Sequence, residues 1–364
     1  MSREPGILFV GTVPPPFHGQ AIAFQAAYAS MRGRKYLVNQ NFETKSVWMK
    51  CLLLILSFFK IWYFLLFKKI DAVYFTCSRS LPGSLKDVVL VYSAKCFGLP
   101  VVNHLHGAGM REFMERLPRL YRSVVFQMYG RVDISIVLLK SMRREFQQFW
   151  PEMDVRVVEN FYAADFDTVE KKTVRDPTRI VYLSNIIYSK GILDLLDAFA
   201  DLAQRCEHVE LVIAGDFMED TFYGRTQIKA LFMRRLEAQE RVRYVGVVSG
   251  KEKVGLLAAS DIFVLPTFYP MEAFPLSVIE AMRAGNVIVA TKHNYLPEIV
   301  NAQMGELVEP RSPSLLVSAL KRIIDDPQEM RRVQDYNMEY AKAHYAVSAY
   351  IRKLDAILKD AAGQ

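Results

Sequence analysis

From Arg179 onward, short runs of β-branched and aliphatic residues alternate with helix-length amphipathic segments, and that alternation leaves few folds open. The runs at 180–183, 210–214, 242–245, 261–265 and 287–290 read as strands. Buried strands separated by crossover-length helices give a parallel sheet with helices on both faces. The first half repeats the pattern more loosely, with strands near 6–12, 71–76, 100–106 and 133–138. An α/β chain of two Rossmann-like parallel-sheet domains is expected. The polar stretch 163–178 ends in Asp176-Pro177 and lacks either periodicity, so it reads as a linker. The domains are therefore expected at 1–165 and 166–344. The segment 338–362 reads as a helix, and 345–364 could pack back on the first domain.

Size and charge narrow the function classes. A chain of 364 residues is too long for one compact core, and 51% hydrophobic content excludes a disordered chain. Residues 1–165 hold 21 Lys+Arg against 12 Asp+Glu, so the whole formal excess of +7 belongs to the first half. Such a field suits a polyanionic partner: an anionic membrane surface, a phosphorylated substrate or nucleic acid. Cys51, Cys77, Cys96 and Cys206 are scattered, with no partners at zinc spacing, and read as reduced core residues of a cytoplasmic protein. The apolar run 6–11 is too short for a secretory signal and reads as the first strand.

The segment 47–67 is broken only by Lys50, Ser57 and Lys60. At about 100° per residue, Ser46, Lys50, Ser57 and Lys68 share one narrow line, with Lys60 on its flank, leaving a wide apolar arc. A membrane span here would put the first strand across a bilayer from its own sheet. Two readings stay open: a helix covered by protein, and one that dips into a membrane interface.

Chemistry concentrates after the strand at 261–265. Leu276, Ile279 and Met282 have helical spacing, Pro275 suits the first helical position and Gly285 the end. A helix N-terminus at the C-terminal edge of such a sheet favours a phosphate. Glu272 precedes it and Glu280 lies about two turns further on. Two carboxylates so separated can accept hydroxyls at opposite ends of a sugar nucleotide, one holding sugar and the other ribose. Lys190 occupies a second strand-to-helix turn, where an ammonium can neutralise a diphosphate. Gly215-Asp216 and Val245-Gly246-Val247 end two further strands, where small residues allow a base or ribose to approach.

The segments S-N-I-I-Y-S-K-G, L-V-I-A-G-D, V-R-Y-V-G-V-V, A-A-S-D-I-F-V-L-P-T and E-A-F-P-L-S-V-I-E-A-M-R-A-G, in this order and spacing, resemble the C-terminal domain of the retaining GT-B glycosyltransferases of family four. The resemblance implies two Rossmann-like domains facing a central crevice and a UDP- or GDP-sugar donor. It implies that Glu272 contacts the sugar, Glu280 the ribose, Lys190 the diphosphate, and the backbone of Phe274, Pro275, Leu276 and Ser277 the sugar and phosphate. One departure is that Leu183 and Ser184 stand where relatives often have Gly-Arg, which removes one phosphate cation.

In the first half, strand 6–12 leads into Pro14-Pro15-Pro16-Phe17-His18-Gly19-Gln20, similar to the family's glycine loop, although Gln20 replaces its usual second glycine. Gly19 would let backbone approach the donor phosphate. His104 and His106 share one face of the strand at 100–106. The resemblance makes His106 the position near the transferred sugar, with His104 and His18 weaker candidates, and Asn160 resembles an interdomain asparagine. No protein nucleophile and no metal are implied: positive potential from Lys190, the helix N-terminus and the Gly19 loop would stabilise the departing diphosphate.

The basic first half, the apolar helix and the stretch Arg111, Phe113, Arg116, Leu117, Arg119, Tyr121 and Arg122 suit a lipid-linked glycan acceptor at an anionic membrane. The expectation is transfer of a hexosyl or N-acetylhexosaminyl unit in surface-polysaccharide assembly, at the inner face of the cell membrane. A GT-B nucleotide-sugar epimerase is the alternative enzyme. A non-enzymatic membrane or nucleic-acid binding protein is the alternative of another class, but it leaves Glu272, Glu280 and Lys190 unexplained.

Overall fold

The computed structural model describes residues 4–15, 19–41, 46–170 and 176–363. Contacts divide the chain into two units, 1–159 with 348–364, and 160–347. Each is built on its own six-stranded, all-parallel sheet.

The first unit contains β1 (Gly6–Gly11), α1 (Gly19–Ser30), β2 (Arg34–Asn39), α2 (Val47–Phe67), β3 (Ala72–Thr76), α3 (Leu81–Cys96), β4 (Val101–His104), α4 (Met110–Arg116), α5 (Arg119–Tyr129), β5 (Ile134–Val137), α6 (Arg144–Gln147) and β6 (Asp154–Val157). Its strand order is β2-β1-β3-β4-β5-β6. Every residue of β1, β3, β4 and β5 is buried, as a parallel sheet covered on both faces requires.

The second unit contains β7 (Thr178–Leu183), α7 (Ile192–Arg205), β8 (Val209–Ala214), α8 (Arg225–Leu236), β9 (Val242–Tyr244), α9 (Gly250–Ala258), β10 (Ile262–Leu265), α10 (Leu276–Arg283), β11 (Val287–Thr291), α11 (Leu296–Ile299), β12 (Gly305–Val308), α12 (Pro313–Asp325) and α13 (Pro327–His344). Its order is β12-β11-β10-β7-β8-β9. Two parallel α/β sheets, one in each unit, are the architecture that the sequence resemblance implies.

Three expectations change. The stretch 163–178 is not plain linker up to residue 170. A short 3-10 helix, Ala164–Thr168, buries Phe166 completely, and the buried Arg283 guanidinium donates to the carbonyls of Asp167 and Val169. The division between units falls after Glu159. The segment 338–362 is not one helix: α13 ends at His344, and α14 (Val347–Ala361) follows. Tyr350, Leu354, Ile357 and Leu358 of α14 are buried at helical spacing, and the Tyr350 hydroxyl donates to the Ala23 carbonyl at 3.2 Å. The helix thereby packs on the first unit.

The third change concerns α2. The Ser46 side chain caps its start, accepting from the Met49 N–H at 3.4 Å. Ser57, placed by sequence on a polar stripe, is buried and donates to the Leu54 carbonyl at 2.7 Å, with Ile61 and Leu65 buried beside it. The stripe therefore turns inward at Ser57, where a hydroxyl can be satisfied by its own helix. The wide apolar arc faces outward. Among the described residues no helix is long and apolar enough to cross a membrane.

Candidate active site

In the second unit the chain runs from β7 to β8 and β9 in one direction, then to β10, β11 and β12 in the other. The point of reversal, between β7 and β10, is where the loops at the C-terminal ends of the strands part and leave room for a ligand. Lys190 follows β7 and Glu272 follows β10. Their side chains meet there, with Nζ and Oε2 2.5 Å apart and only 12% and 7% of the side chains exposed. The Lys190 ammonium also lies 5.3 Å from the centre of the Tyr269 ring.

Local chemistry fixes both loops. Gly191 has φ +74°, and a Cβ there would stand 2.0 Å from the Pro266 carbonyl oxygen, so only glycine lets the turn after β7 close against the end of β10. The Asp220 carboxylate accepts from the Ser189 N–H and hydroxyl, each at 2.8 Å. Burial works to raise the Asp220 pKa, but hydrogen bonds from Ser189, Tyr223 and Phe222 outweigh it and hold the carboxyl below its ordinary range. The Phe268 N–H donates to the Ser189 carbonyl at 2.7 Å, joining one loop to the other.

Asn294 holds the segment carrying Glu272. Its backbone sits at φ 47°, and its side-chain amide donates to the carbonyls of Pro270 at 2.8 Å and Glu272 at 3.1 Å. Asn160 donates to the Phe274 carbonyl at 2.7 Å from within the same unit. Neither Asn294 nor Asp220 was singled out by sequence. A carboxamide or carboxylate facing a loop many residues away leaves no periodic trace.

Pro275 is the residue before α10, with extended ψ 125°, and not its first helical residue. The Val278 N–H returns to the Pro275 carbonyl at 3.2 Å, so the helix starts at Leu276. The N–H groups of its first turn have no partner within the helix. Phe274 and Leu276 are buried, so their backbone, not their side chains, is what this terminus offers.

Glu280 lies further along α10, buried, with Lys253 Nζ at 2.5 Å from Oε1. Burial raises its pKa and the Lys253 ammonium opposes the shift. Lys253, on α9, is a further residue that sequence reasoning missed. Its ammonium is 5.8 Å from the Phe166 ring centre, so the unexpected turn at 164–168 helps wall in this second pair.

Gly215 has another reason than ligand approach. A Cβ there would lie 1.9 Å from the Ser184 carbonyl oxygen, so packing between the ends of β7 and β8 already demands glycine. Gly246 has nothing within 4 Å of its would-be Cβ, and its neighbour Val245 is partly exposed, which leaves the end of β9 open. Ser184 and Leu183 supply no cation.

In the first unit Gly19 opens α1, and His18 lies outside the described residues. The expected strand at 100–106 stops at His104. His104 is fully buried, its Nδ1 2.8 Å from the Tyr74 hydroxyl and its ring centre 3.9 Å from that of His106. Burial first, and His106 second, push its pKa well below normal, so it is a neutral core histidine. His106 is less buried and lies just past the strand's C-terminal end. The stretch 111–122 is not one surface: Phe113 and Leu117 are core, Arg111 pairs with Glu115, and Tyr121 bonds Ser84. Among the described residues no group of three or more His, Cys, Asp or Glu side chains could hold a metal ion.

Residues 165–340 match the family described as Glycosyl transferases group 1. Over 247 residues the chain is 27% identical to a glycogen synthase of Mycobacterium tuberculosis, covering 66% of this chain and 58% of that relative. It is 25% identical over 212 residues to a lipopolysaccharide 1,2-N-acetylglucosaminetransferase of Salmonella typhimurium, covering 54% of each. In fold it resembles Anabaena Alr3699/HepE, solved in complex with UDP-glucose, with a TM-score of 0.74 at 18% identity over 97% of this chain and 99% of that one. The matched residues 165–340 carry Lys190, Glu272, Lys253 and Glu280, so the part of the chain that holds this site is similar to the group 1 glycosyl transferases.

Proposed function

We propose that the protein transfers a sugar from a nucleoside-diphosphate sugar to a glycan acceptor, with retention at the anomeric carbon. The observation that carries this reading is the Lys190–Glu272 pair at the strand reversal, next to the N-terminus of α10, which no side chain caps. A diphosphate supplies the anion that Lys190 and the helix N–H groups would bind, and the sugar hydroxyls supply donors for Glu272. Without ligand, the two side chains pair with each other, as a largely buried carboxylate and ammonium must. Glu280, held by Lys253, would accept from the ribose.

In transfer the anomeric carbon–oxygen bond breaks, the diphosphate leaves with the bonding pair, and the acceptor hydroxyl attacks from the same face. The departing phosphate oxygen takes the acceptor proton. Glu272 positions the sugar, while Lys190 and the α10 terminus stabilise charge that develops on the leaving group. A lipid-linked glycan is the acceptor we favour, and hexosyl and N-acetylhexosaminyl donors are the ones to test first. The Salmonella relative, named for lipopolysaccharide, supports that acceptor class.

The test is a panel of uridine- and guanosine-diphosphate sugars, scored by protection against thermal unfolding and then by product formation with and without acceptor. One nucleotide should raise the unfolding midpoint in the wild type but not in Lys190→Met. Protection equal in both proteins ends the assignment, and isomerised donor without acceptor identifies an epimerase.

A further inference from the structure

We infer that the outward face of α2, continued on α5, is a docking surface for an anionic lipid bilayer, along which α2 lies flat. Ten large apolar side chains of α2 are exposed among the described residues. At about 100° per residue they fall within an arc of roughly 140°, opposite buried Ser57 and Ile61. Trp48 is 87% exposed and Phe59 and Phe67 are each 70% exposed. A 21-residue helix is about 30 Å long, so these side chains form one apolar line and not a scatter of single residues.

The patch continues across the unit. The connections from β2 to β3, β3 to β4 and β4 to β5 all advance in one direction across the sheet, so right-handed crossovers put α2, α3 and α5 on the same face. The helices α2 and α3 pack together, as do α3 and α5. On α5, Leu120 is 89% exposed beside exposed Arg116 and Arg119.

Charge selects the occupant. No acidic residue occurs from Ser46 to Ile70 or from Leu117 to Val132. Lys60 borders the apolar arc with its ammonium 5.8 Å from the Phe64 ring centre, Lys68 lies 5.9 Å from that of Tyr63, and Lys69 follows. Two copies joined through this face would bring these cations together in a dry contact. An anionic headgroup layer takes the ammonium groups at its surface while the apolar side chains enter the acyl boundary. This surface belongs to the first unit and does not depend on the reading of the donor site in the second.

The test is cosedimentation of the full chain, without substrate, with vesicles of phosphatidylcholine alone and of phosphatidylcholine mixed with phosphatidylglycerol. Binding should require the anionic lipid and fall as salt rises. Phe59→Glu should weaken it about tenfold or more, and Lys60→Ser about fivefold on anionic vesicles. Leu120→Glu is the independent variant on α5, and should also weaken binding. The emission of Trp48 and Trp62, both in the arc, should shift to the blue on binding; Trp48→Phe should reduce that shift and Trp48→Phe with Trp62→Phe should remove it, while buried Trp150 stays unchanged. Three results overturn the proposal: no binding to anionic vesicles, binding by folded Phe59→Glu and Leu120→Glu equal to wild type, or a dimer that Phe59→Glu dissociates in a protein that ignores vesicles.

Discussion

The strand reversal of the second unit and the outer face of the first expose opposite kinds of chemistry. At the reversal, the charged groups are buried and the backbone around them is tied by side chains from distant segments: Asp220 to Ser189, Asn294 to Pro270 and Glu272, Asn160 to Phe274. On α2 the large apolar groups stand in solvent, and Lys60 and Lys68 lie over rings of their own helix. The first region is organised before any ligand arrives, so its residues should be intolerant of change. The second holds surface that only a partner would cover, so its residues should be replaceable without loss of fold.

The sharpest way to break this contrast is Glu272→Gln. The amide keeps the size but loses the charge facing Lys190, and under the proposed function transfer should fall about 100- to 1,000-fold, by analogy with loss of one preorganised electrostatic group. Initial rates at saturating donor check it, and a fall below threefold would remove Glu272 from the site. Next comes Lys253→Met, which leaves Glu280 buried without its cation. Breaking such a pair costs about 3–5 kcal/mol, read as a lowered midpoint in urea. The double variant Lys253→Met with Glu280→Gln should recover much of the loss. A Lys253→Met protein as stable as wild type would show that the pair does not organise the region.

The same contrast decides what could be read in the sequence. Lys190, Glu272 and Glu280 were visible because strand-to-helix turns are fixed by local periodicity and punctuation, and both sheets were visible in the alternation of runs. Asn294 and Asp220 were not, because their partners are carbonyls and N–H groups that only the tertiary fold brings near. Lys253 was not legible either, because beside Lys251 and Glu252 nothing in the local pattern sets it apart. On α2 the arc was legible but its direction was not: Ser57 counts as polar in any periodic count, yet its hydroxyl is satisfied by Leu54 and can be buried. The break at Tyr345, which sends α14 to the first unit, also has no strong punctuation in the sequence.

A pH prediction separates the donor region from a buried acid in the first unit. Asp87 on α3 is buried, and burial pushes its pKa up to about 7, against the opposing effects of Lys86 and of hydrogen bonds from Ser78. A carboxyl raised in the folded state binds its proton more tightly there than in the unfolded chain. Its stabilising contribution is complete below the unfolded value near 4 and is lost as pH rises through about 7. Asp87→Asn should flatten that part of the stability curve, by about 2–4 kcal/mol across the window. Urea titrations at a series of pH values measure it, and an unchanged slope would mean that Asp87 ionises freely.

The smallest expected effect tests the other side of the comparison. Phe59 is 70% exposed, so most of its ring is already hydrated in the folded chain, and replacing it removes little buried area. Phe59→Ser should therefore shift folding stability by no more than about 0.5 kcal/mol in the absence of lipid. Serine and phenylalanine have about the same helix propensity, so the backbone should hold. Ile61→Ser, two positions along and 1% exposed, removes a fully buried side chain and should cost about 3 kcal/mol. Thermal unfolding of the two variants side by side measures the outward direction of the arc without any membrane. Equal destabilisation would mean that Phe59 is covered by protein in solution, and the contrast between a prepared site and an uncovered face would fail.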